Sequence, residues 1–421
     1  MSVALSMAIL GLLAILLYAW LGYPLLLAAA ARLFRRPWRV PAGGGVPVRS
    51  LAVLFSAHNE ERHIAARLRN LLAECAPLLA DGVDCRLLVG ADGCSDGTAA
   101  IAAAWAREHP IVSVRQAPQQ GGKVRMLKAL ATETTAEVLV FTDANTEFAP
   151  GALAALLAPL SDPTVGAVCG RLVLTPGRPG AEAAAGREGG ATAGVQPEGT
   201  YWRWETKLKE WESALDSCLG ANGAIYALRR ELFWRDVPDN TVVDDLVLGM
   251  KVREAGRRVL YEPRAVASEE LPDVEHEWRR RVRIGAGDFQ ALSLCRRCLR
   301  PSYGWFAWAF FSHKLLRWFT PHLAVASVAL AVAVAMREWR AARVAWPGSF
   351  ALALAVLAAA AAAVGMALSG RRLRGRGAVG RMGRVLRFAD HTLTMQAALF
   401  AGWLRYCRGG LQGHWTRTPR A

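Results

Sequence analysis

Residues 86–98 are Arg-Leu-Leu-Val-Gly-Ala-Asp-Gly-Cys-Ser-Asp-Gly-Thr, an apolar run that ends in two Asp-Gly turns. A short apolar run bounded by turn residues predicts a buried strand. Four more such runs alternate with Ala- and Leu-rich helical stretches, at 51–55, 111–114, 138–141 and 165–168. Because strands that alternate with helices form βαβ units, we expect one α/β domain over 50–290, with a mostly parallel sheet between layers of helices.

Both ends of the chain predict membrane helices. Residues 1–31 carry no charge, and about 20 apolar residues suffice to span a bilayer. Four arginines follow directly, at positions 32, 35, 36 and 39, and basic residues mark the cytoplasmic end of such a helix. We therefore expect an N-terminal transmembrane helix, with the α/β domain on the cytoplasmic face of the inner (plasma) membrane.

The C-terminal part of the chain has the composition of a membrane region. Residues 301–316 are rich in aromatic side chains and predict a helix that lies in the membrane interface. Within 317–407, uncharged stretches occur at 318–336, 344–370 and, more briefly, 391–404. We expect two or three transmembrane helices there, with the shortest stretch either spanning or re-entrant, and a tail over 408–421.

The net charge of +16, from 51 Lys and Arg against 35 Asp and Glu, fits an anionic partner. The densest basic stretch, 371–387, directly follows a long apolar segment, and no zinc-finger spacing occurs. This placement favours a membrane surface over nucleic acid as the partner. Residues 176–199, rich in Gly, Ala and Pro without periodicity, predict a flexible insertion in the α/β domain.

Polar clusters follow four of the predicted elements, at 56–61, 92–98, 143–146 and 241–245. Each one alone is compatible with turn or helix-cap chemistry. Together they lie where open α/β sheets bind ligands, at the carboxyl ends of strands. Asp143 and Asn145, two residues apart, suit a hard divalent cation such as Mn²⁺ or Mg²⁺. Lys123, after the loop Gln119-Gln120-Gly121-Gly122, can pair with phosphate, or it is a solvated lysine at a helix start.

The order of these motifs resembles a known family. Ser56-Ala57-His58-Asn59-Glu60 is similar to an opening Pro-Ala-Tyr-Asn-Glu signature, and Asp92 to Thr98 is similar to an Asp-Gly-Ser-Thr-Asp-Gly-Thr turn. Asp143-Ala144-Asn145 takes the place of an Asp-x-Asp motif, Gly220 to Ala224 that of a Gly-x-x-Gly segment, and Asp244-Asp245 that of an acidic pair. The chain resembles family 2 glycosyltransferases of the GT-A fold, in the membrane-bound branch that builds exopolysaccharides and glycolipids.

The resemblance implies roles for individual residues. Asp245 takes the place of the general base, and Asp143 and Asn145 that of the metal ligands. The donor side comprises Ala57, Asn59, Glu60, Asp92, Lys123 and Asp143. The acceptor side comprises Gly220, Asn222, Gly223 and Asp244. Arg280 and Arg283 are candidates for binding the diphosphate, with pairing to the membrane surface as the alternative.

The expected reaction is inverting transfer of a sugar from a nucleotide-diphosphate donor, by resemblance a UDP-sugar, to a lipid-linked or polysaccharide acceptor. The processive members of the family carry Gln-x-x-Arg-Trp, whereas 280–284 here are Arg-Arg-Val-Arg-Ile, so we expect the addition of one or few sugars. A processive polysaccharide synthase is the main alternative. A nucleotidyltransferase and an inactive membrane scaffold are weaker ones, and accessory membrane subunits are compatible with the sequence.

Three tryptophans, Trp202, Trp204 and Trp211, share a segment with Glu205 and Glu212 at roughly helical spacing. Aromatic stripes of this kind usually pack into a core. The alternative is a platform on which a sugar stacks, because the segment precedes the acceptor-side motif.

Overall fold

The computed structural model describes residues 2–39, 48–175, 197–270, 274–340, 348–373 and 380–411. Most of the expected flexible insertion, 176–196, lies outside the described residues, as do 412–421 of the expected tail and the side chain of Trp202.

Eight strands form a single sheet with the order β3-β2-β1-β4-β7-β6-β8-β5. Their bounds are β1 Ser50–Ala57, β2 Asp84–Asp92, β3 Val112–Ala117, β4 Val138–Thr142, β5 Glu147–Phe148, β6 Val165–Thr175, β7 Ile225–Arg229 and β8 Arg258–Glu270. The four strands β3, β2, β1 and β4 run parallel to one another, and β6 runs parallel to β8. Strand β7 lies between β4 and β6 and is antiparallel to both. The five strands predicted from apolar runs are present, and the expected α/β fold class is confirmed.

Helices cover both faces of this sheet. In the α/β domain they are α3 Glu61–Ala80, α4 Thr98–Glu108, α5 Lys123–Thr132, α6 Ala152–Leu157, α7 Pro197–Leu215, α8 Asp244–Glu254 and α9 Val274–Leu294. Apolar side chains of α3, α4 and α6 pack against one face of the sheet, and those of α5 and α8 against the other. The central strand β1 is buried on both faces, which explains its continuous apolar run.

Among the described residues, three helical stretches are long and apolar enough to cross a membrane, as expected for both ends of the chain. The first, 3–33, consists of α1 Ser2–Leu17, a π-helical turn Tyr18–Gly22 and α2 Tyr23–Leu33. The other two are α12 Thr320–Arg340 and α13 Gly348–Arg371. The undecided stretch 391–404 belongs to α14 Arg381–Cys407, which is not among these three and packs along α9 and α13.

The aromatic segment 301–316 is helical but broken into short pieces. They are a 3₁₀ turn Pro301–Tyr303, α10 Trp305–Ala309, a π-helical stretch Phe310–Leu315, and the start of α11 Leu316–Trp318. Phe306 and Phe310 are buried in a cluster with the end of α7 and with α9, whereas Trp305 and Phe311 are exposed. The segment therefore packs one face against the α/β domain and presents apolar side chains on the other.

The crossing of α9 and α14 leaves no room for a side chain at Gly402. A Cβ there would lie 2.7 Å from the backbone nitrogen of Ala286, so Gly402→Ala must push the two helices apart. We expect an apparent loss of about 1–3 kcal/mol in stability, the range found for overpacked sites, measured as a lower melting temperature in detergent. Gly365→Ala in α13, where a Cβ meets open space, is the control. Equal melting temperatures for the two variants would contradict this packing.

Candidate active site

Three charged side chains lie around Gly223: Lys123 at the start of α5, Asp143 directly after β4, and Asp245 at the start of α8. A Cβ built on Gly223 would lie 3.5 Å from Asp245 Oδ2, 3.5 Å from Lys123 Nζ and 3.7 Å from Asp143 Oδ2. Lys123 donates a hydrogen bond to Asp143 Oδ1 at 2.8 Å, and its Nζ lies 3.9 Å from Asp244 Oδ2. One ammonium group therefore faces three carboxylates, which we call the Lys123 cluster: Lys123, Asp143, Asp244 and Asp245.

Backbone amides fix the carboxylate of Asp245. Its Oδ2 accepts a hydrogen bond from Gly223 N–H at 2.7 Å, and its Oδ1 accepts one from Leu246 N–H at 2.8 Å. Gly220 allows α8 to approach because it adopts a positive φ of 76°, and a Cβ on Gly249 would lie 2.9 Å from the Gly220 Cα. The segment 220–223 is thus packed directly on the helix that carries the acidic pair.

The Lys123 cluster has three carboxyl groups and only one ammonium group. Burial opposes the charge of Lys123, but Asp143 and Asp244 outweigh it and raise the pKa of the ammonium group. Burial, reinforced by Asp245 and Asp143 against the opposing charge of Lys123, raises the pKa of Asp244 to about 6. Asp244 Oδ2 is buried and accepts no hydrogen bond, and its helix has no side-chain cap. The helix-cap interpretation of Thr241 and Asp244 is therefore wrong, since Thr241 Oγ1 instead donates to Pro238 O.

The donor set of this site fits a divalent cation in its chemistry. Asp143 Oδ2 accepts no hydrogen bond from the described residues, and Asp244 Oδ2 is a buried oxygen that likewise accepts none. Hard cations prefer such oxygen ligands. Among the residues that the structure describes, no group of three His, Cys, Asp or Glu side chains forms a ready-made metal site.

Asn145 lines a cavity of about 560 Å³ together with residues of α3, β6 and β8. Glu147, Glu269 and Glu270 belong to the same wall. The pairing of Asp143 with Asn145 on one metal ion stays a prediction.

The two loops of the expected nucleotide side are held together through Asp92. Its Oδ1 and Oδ2 accept hydrogen bonds from Gly121 N–H at 2.7 Å and Gly122 N–H at 2.8 Å. Gly93 has a positive φ of 62°, and a Cβ there would lie 2.2 Å from the backbone nitrogen of Gln120. Asp92 therefore orders the loop that leads into Lys123, and any contact of its own with a donor stays a prediction.

The opening motif after β1 is also tied to the turn after β2. Ala57 is the last, buried residue of β1. Asn59 has a positive φ of 57°, and its Oδ1 accepts a hydrogen bond from Ser95 N–H at 2.8 Å. Glu60 N–H donates to Thr98 Oγ1 at 2.8 Å. The predicted donor-side residues therefore converge at neighbouring strand ends.

Arg283 on α9 is the expected diphosphate ligand nearest to the acidic cluster. Burial and the neighbouring Arg280 lower the pKa of Arg283, and Asp244 partly offsets this. Arg280 pairs with Glu277 at 3.4 Å, whereas the described residues give Arg283 no hydrogen bond or ion pair. Arg283 is available to an anionic ligand.

Sequence patterns missed two groups near the site. Lys209 on α7 is 7% exposed and donates to Asn222 Oδ1 at 2.5 Å. Near the same face of α7, His313 lies between Glu212 Oε1 at 2.6 Å and Glu205 at 3.0 Å, and Lys314 binds Glu205 at 2.6 Å. Helical spacing on α7 was the available signal, but His313 lies about 100 positions from its partners, and Asn222 lies in the segment before β7.

The tryptophan stripe serves mainly packing. Trp211 is partly buried against the cluster at the end of α7, and Trp204 contacts it edge to face at 6.4 Å between ring centroids. Glu205 and Glu212 of the same segment are buried in the contacts to His313. Trp204 is exposed, and its use as a platform for a sugar stays the alternative prediction.

The chain is similar in fold to solved enzymes that transfer sugars, and part of it matches a family in sequence. The chain is similar in structure to a mannosyltransferase from Pyrobaculum calidifontis, solved with GDP-Man and Mn²⁺, with a TM-score of 0.62, 24% identity, and coverage of 96% of this chain and 97% of that one. It also aligns with glucosyl-3-phosphoglycerate synthase from Mycobacterium tuberculosis, solved with Mn²⁺, UDP-Glc and phosphoglyceric acid, with a TM-score of 0.40, 18% identity, and coverage of 62% and 86%. No curated protein is significantly similar to the chain in sequence.

Residues 52–235 match the model of the family "Glycosyl transferase family 2". This stretch contains β2 to β7, most of β1, and Lys123 and Asp143 of the Lys123 cluster, and it ends before Asp244 and Asp245. Over these residues the chain matches family 2 glycosyltransferases, which confirms the expected resemblance and the enzyme class that it implies.

The raised pKa of Asp244 gives a pH dependence of stability. An unfolded Asp titrates near 3.9, so between about pH 4 and 6 the folded protein keeps a proton that the unfolded chain has released. The free energy of unfolding therefore falls as pH rises through this window. Asp244→Asn should reduce this fall in the free energy of unfolding by about 1–3 kcal/mol. The measurement is thermal melting of the metal-free protein between about pH 4 and pH 7. Asp236→Asn, an exposed carboxylate, should keep the wild-type slope, and an unchanged slope in Asp244→Asn would refute the assignment.

Proposed function

We propose that this enzyme transfers a sugar from a nucleotide-diphosphate donor to a hydroxyl group of a lipid-linked or polysaccharide acceptor, with inversion, at the cytoplasmic face of the membrane. The observation that carries the proposal is the Lys123 cluster around Gly223, a set of three carboxylates and one ammonium at the carboxyl ends of the strands. It lies where open α/β sheets bind their ligands.

Asp245 is the proposed general base. Its two backbone hydrogen bonds hold the carboxylate in one orientation, and each oxygen keeps a lone pair for a proton. The acceptor hydroxyl gives its proton to Asp245 while its oxygen bonds to the anomeric carbon. The bond from that carbon to the donor phosphate breaks, and the nucleoside diphosphate leaves with the electron pair.

Cations of the chain stabilise the departing diphosphate. Lys123 is already at the site, and Arg283, which has no ion pair among the described residues, lies in the electrostatic range of Asp143 and Asp244. Asp143 would hold a divalent metal, with Asn145 as the proposed second ligand. Such an ion supplies further positive charge to the diphosphate when bound. The mannosyltransferase of similar fold was solved with Mn²⁺, which supports this choice of ion.

The nucleotide base is proposed by resemblance to be uridine. The mannosyltransferase of similar fold was solved with a guanosine donor, so GDP-sugars belong in the same test. The three membrane-length helices and the arginines after the first of them support a multi-pass location in the inner membrane, with the site on the cytoplasmic side.

Single or limited addition is favoured over processive synthesis by the missing Gln and Trp of the processive motif. In the structure Arg280 and Arg283 lie on α9, and Ile284 takes the place of the tryptophan of that motif. A processive synthase is the second candidate, and product length separates the two.

The direct test incubates membranes that contain the protein with labelled UDP- and GDP-sugars and Mn²⁺ or Mg²⁺, and then identifies the product. We expect one donor to give a lipid- or glycan-linked product of one or few added sugars, with release of nucleoside diphosphate. A long polymer would favour the processive synthase. Release of pyrophosphate would indicate a nucleotidyltransferase, and no metal-dependent turnover of any donor would favour a scaffold.

Asp245→Asn should keep donor binding and lose transfer by about 100- to 10,000-fold, the usual contribution of a general base. Donor affinity is measured by titration calorimetry, and transfer by the labelled-product assay. Asp236→Asn is the matched control and should retain both. Normal turnover in Asp245→Asn would remove Asp245 from this role.

A further inference from the structure

Lys209 is a buried cation without a counter-ion. Its side chain is 7% exposed, and its Nζ donates to the neutral amide oxygen of Asn222. No carboxylate of the described residues lies within salt-bridge distance. Burying an unpaired charge is costly, so a lysine held in this way is expected to have an anionic partner.

The acidic residues of the same helix cannot supply that partner. Glu205 binds His313 and Lys314, and Glu212 binds His313 and Tyr23. Glu210 is engaged by Lys207 at 2.6 Å. The described carboxylates of α7 near Lys209 are therefore engaged by other partners.

Lys209 lies next to the segment that holds the proposed base. Its partner Asn222 precedes Gly223, whose N–H donates to Asp245 Oδ2 at 2.7 Å. Asn222 Nδ2 also donates to Gly170 O on β6 at 2.8 Å, which fixes the amide. An anion bound to Lys209 would therefore lie beside the segment 220–223 and Asp245.

The helix that carries Lys209 also touches the membrane segment. Tyr23, in the first membrane-length stretch, donates to Glu212 Oε1 at 2.8 Å. An acceptor that arrives from the bilayer therefore reaches Lys209 beside the membrane surface. The anionic group of a lipid-linked glycan at this depth is the phosphate that joins lipid and sugar, and lysine binds phosphate well as a point charge.

We propose that Lys209, positioned by Asn222, binds a phosphate group of a lipid-linked acceptor and so places the acceptor hydroxyl at Asp245. This inference rests on the proposed function and names the class of its acceptor. The same chemistry could belong to the donor diphosphate, and the test separates the two sources.

The test uses the full-length protein in a non-ionic detergent, with decyl phosphate as the probe and saturating nucleoside diphosphate and Mn²⁺ present. Lys209→Gln should weaken decyl phosphate binding about ten- to a hundredfold, the loss expected for a hydrogen bond to a charged group. Lys209→Arg should restore most of the affinity. Lys207→Gln, an exposed lysine on the same helix, and binding of the neutral decyl glucoside should be unaffected.

The outcomes are separable. Unchanged decyl phosphate affinity in Lys209→Gln overturns the proposal, and so does weaker nucleotide binding with intact decyl phosphate binding, which assigns Lys209 to the donor. An equal loss for decyl phosphate and decyl glucoside means a structural role and also overturns it. Failure of the wild type to bind any nucleotide sugar refutes the proposed function itself, and it is measured separately from the Lys209 comparison.

Discussion

The ammonium group of Lys123 holds the site together. It faces Asp143, Asp244 and Asp245, and without it these three carboxylates would repel one another around Gly223. Three elements position the cluster. The loop ordered by Asp92 leads into Lys123, the end of β4 precedes Asp143, and the start of α8, packed on Gly220, carries Asp244 and Asp245. Burial of a cluster with more negative than positive charge favours protonation of a carboxylate or the binding of a cation. That imbalance links the fold to its chemistry.

The site is also connected to the membrane part of the chain. Arginines of α9 face the acidic cluster, and the same helix crosses α14 closely at Gly402. On the other side, α7 carries Lys209 towards Asn222 and binds His313 through Glu212. The two helices that flank the proposed catalytic residues thus pack against helices outside the α/β domain, which agrees with the proposed lipid-linked acceptor.

Much of this arrangement could be predicted from the sequence, because it follows from local patterns. Apolar runs located β1, β2, β3, β4 and β6, and polar residues after them located the donor side. The antiparallel strand β7 and the long strand β8 could not be predicted this way, since their pairing depends on partners far along the chain. The same holds for His313, which finds Glu212 across 101 positions. Lys209 is only 13 positions from Asn222, but no local pattern relates a lysine on a helix to an amide in the following segment.

The central claim is that the donor binds at the Lys123 cluster. Its most direct test is Mn²⁺ binding, measured by electron paramagnetic resonance with and without nucleoside diphosphate. Because Lys123 occupies one oxygen of Asp143 and the described residues form no complete metal site, we expect weak binding of Mn²⁺ alone. Binding should tighten at least tenfold with the nucleotide and be lost in Asp143→Ala. Equal Mn²⁺ binding in wild type and Asp143→Ala, with nucleotide present, would contradict the placement of the donor at the Lys123 cluster.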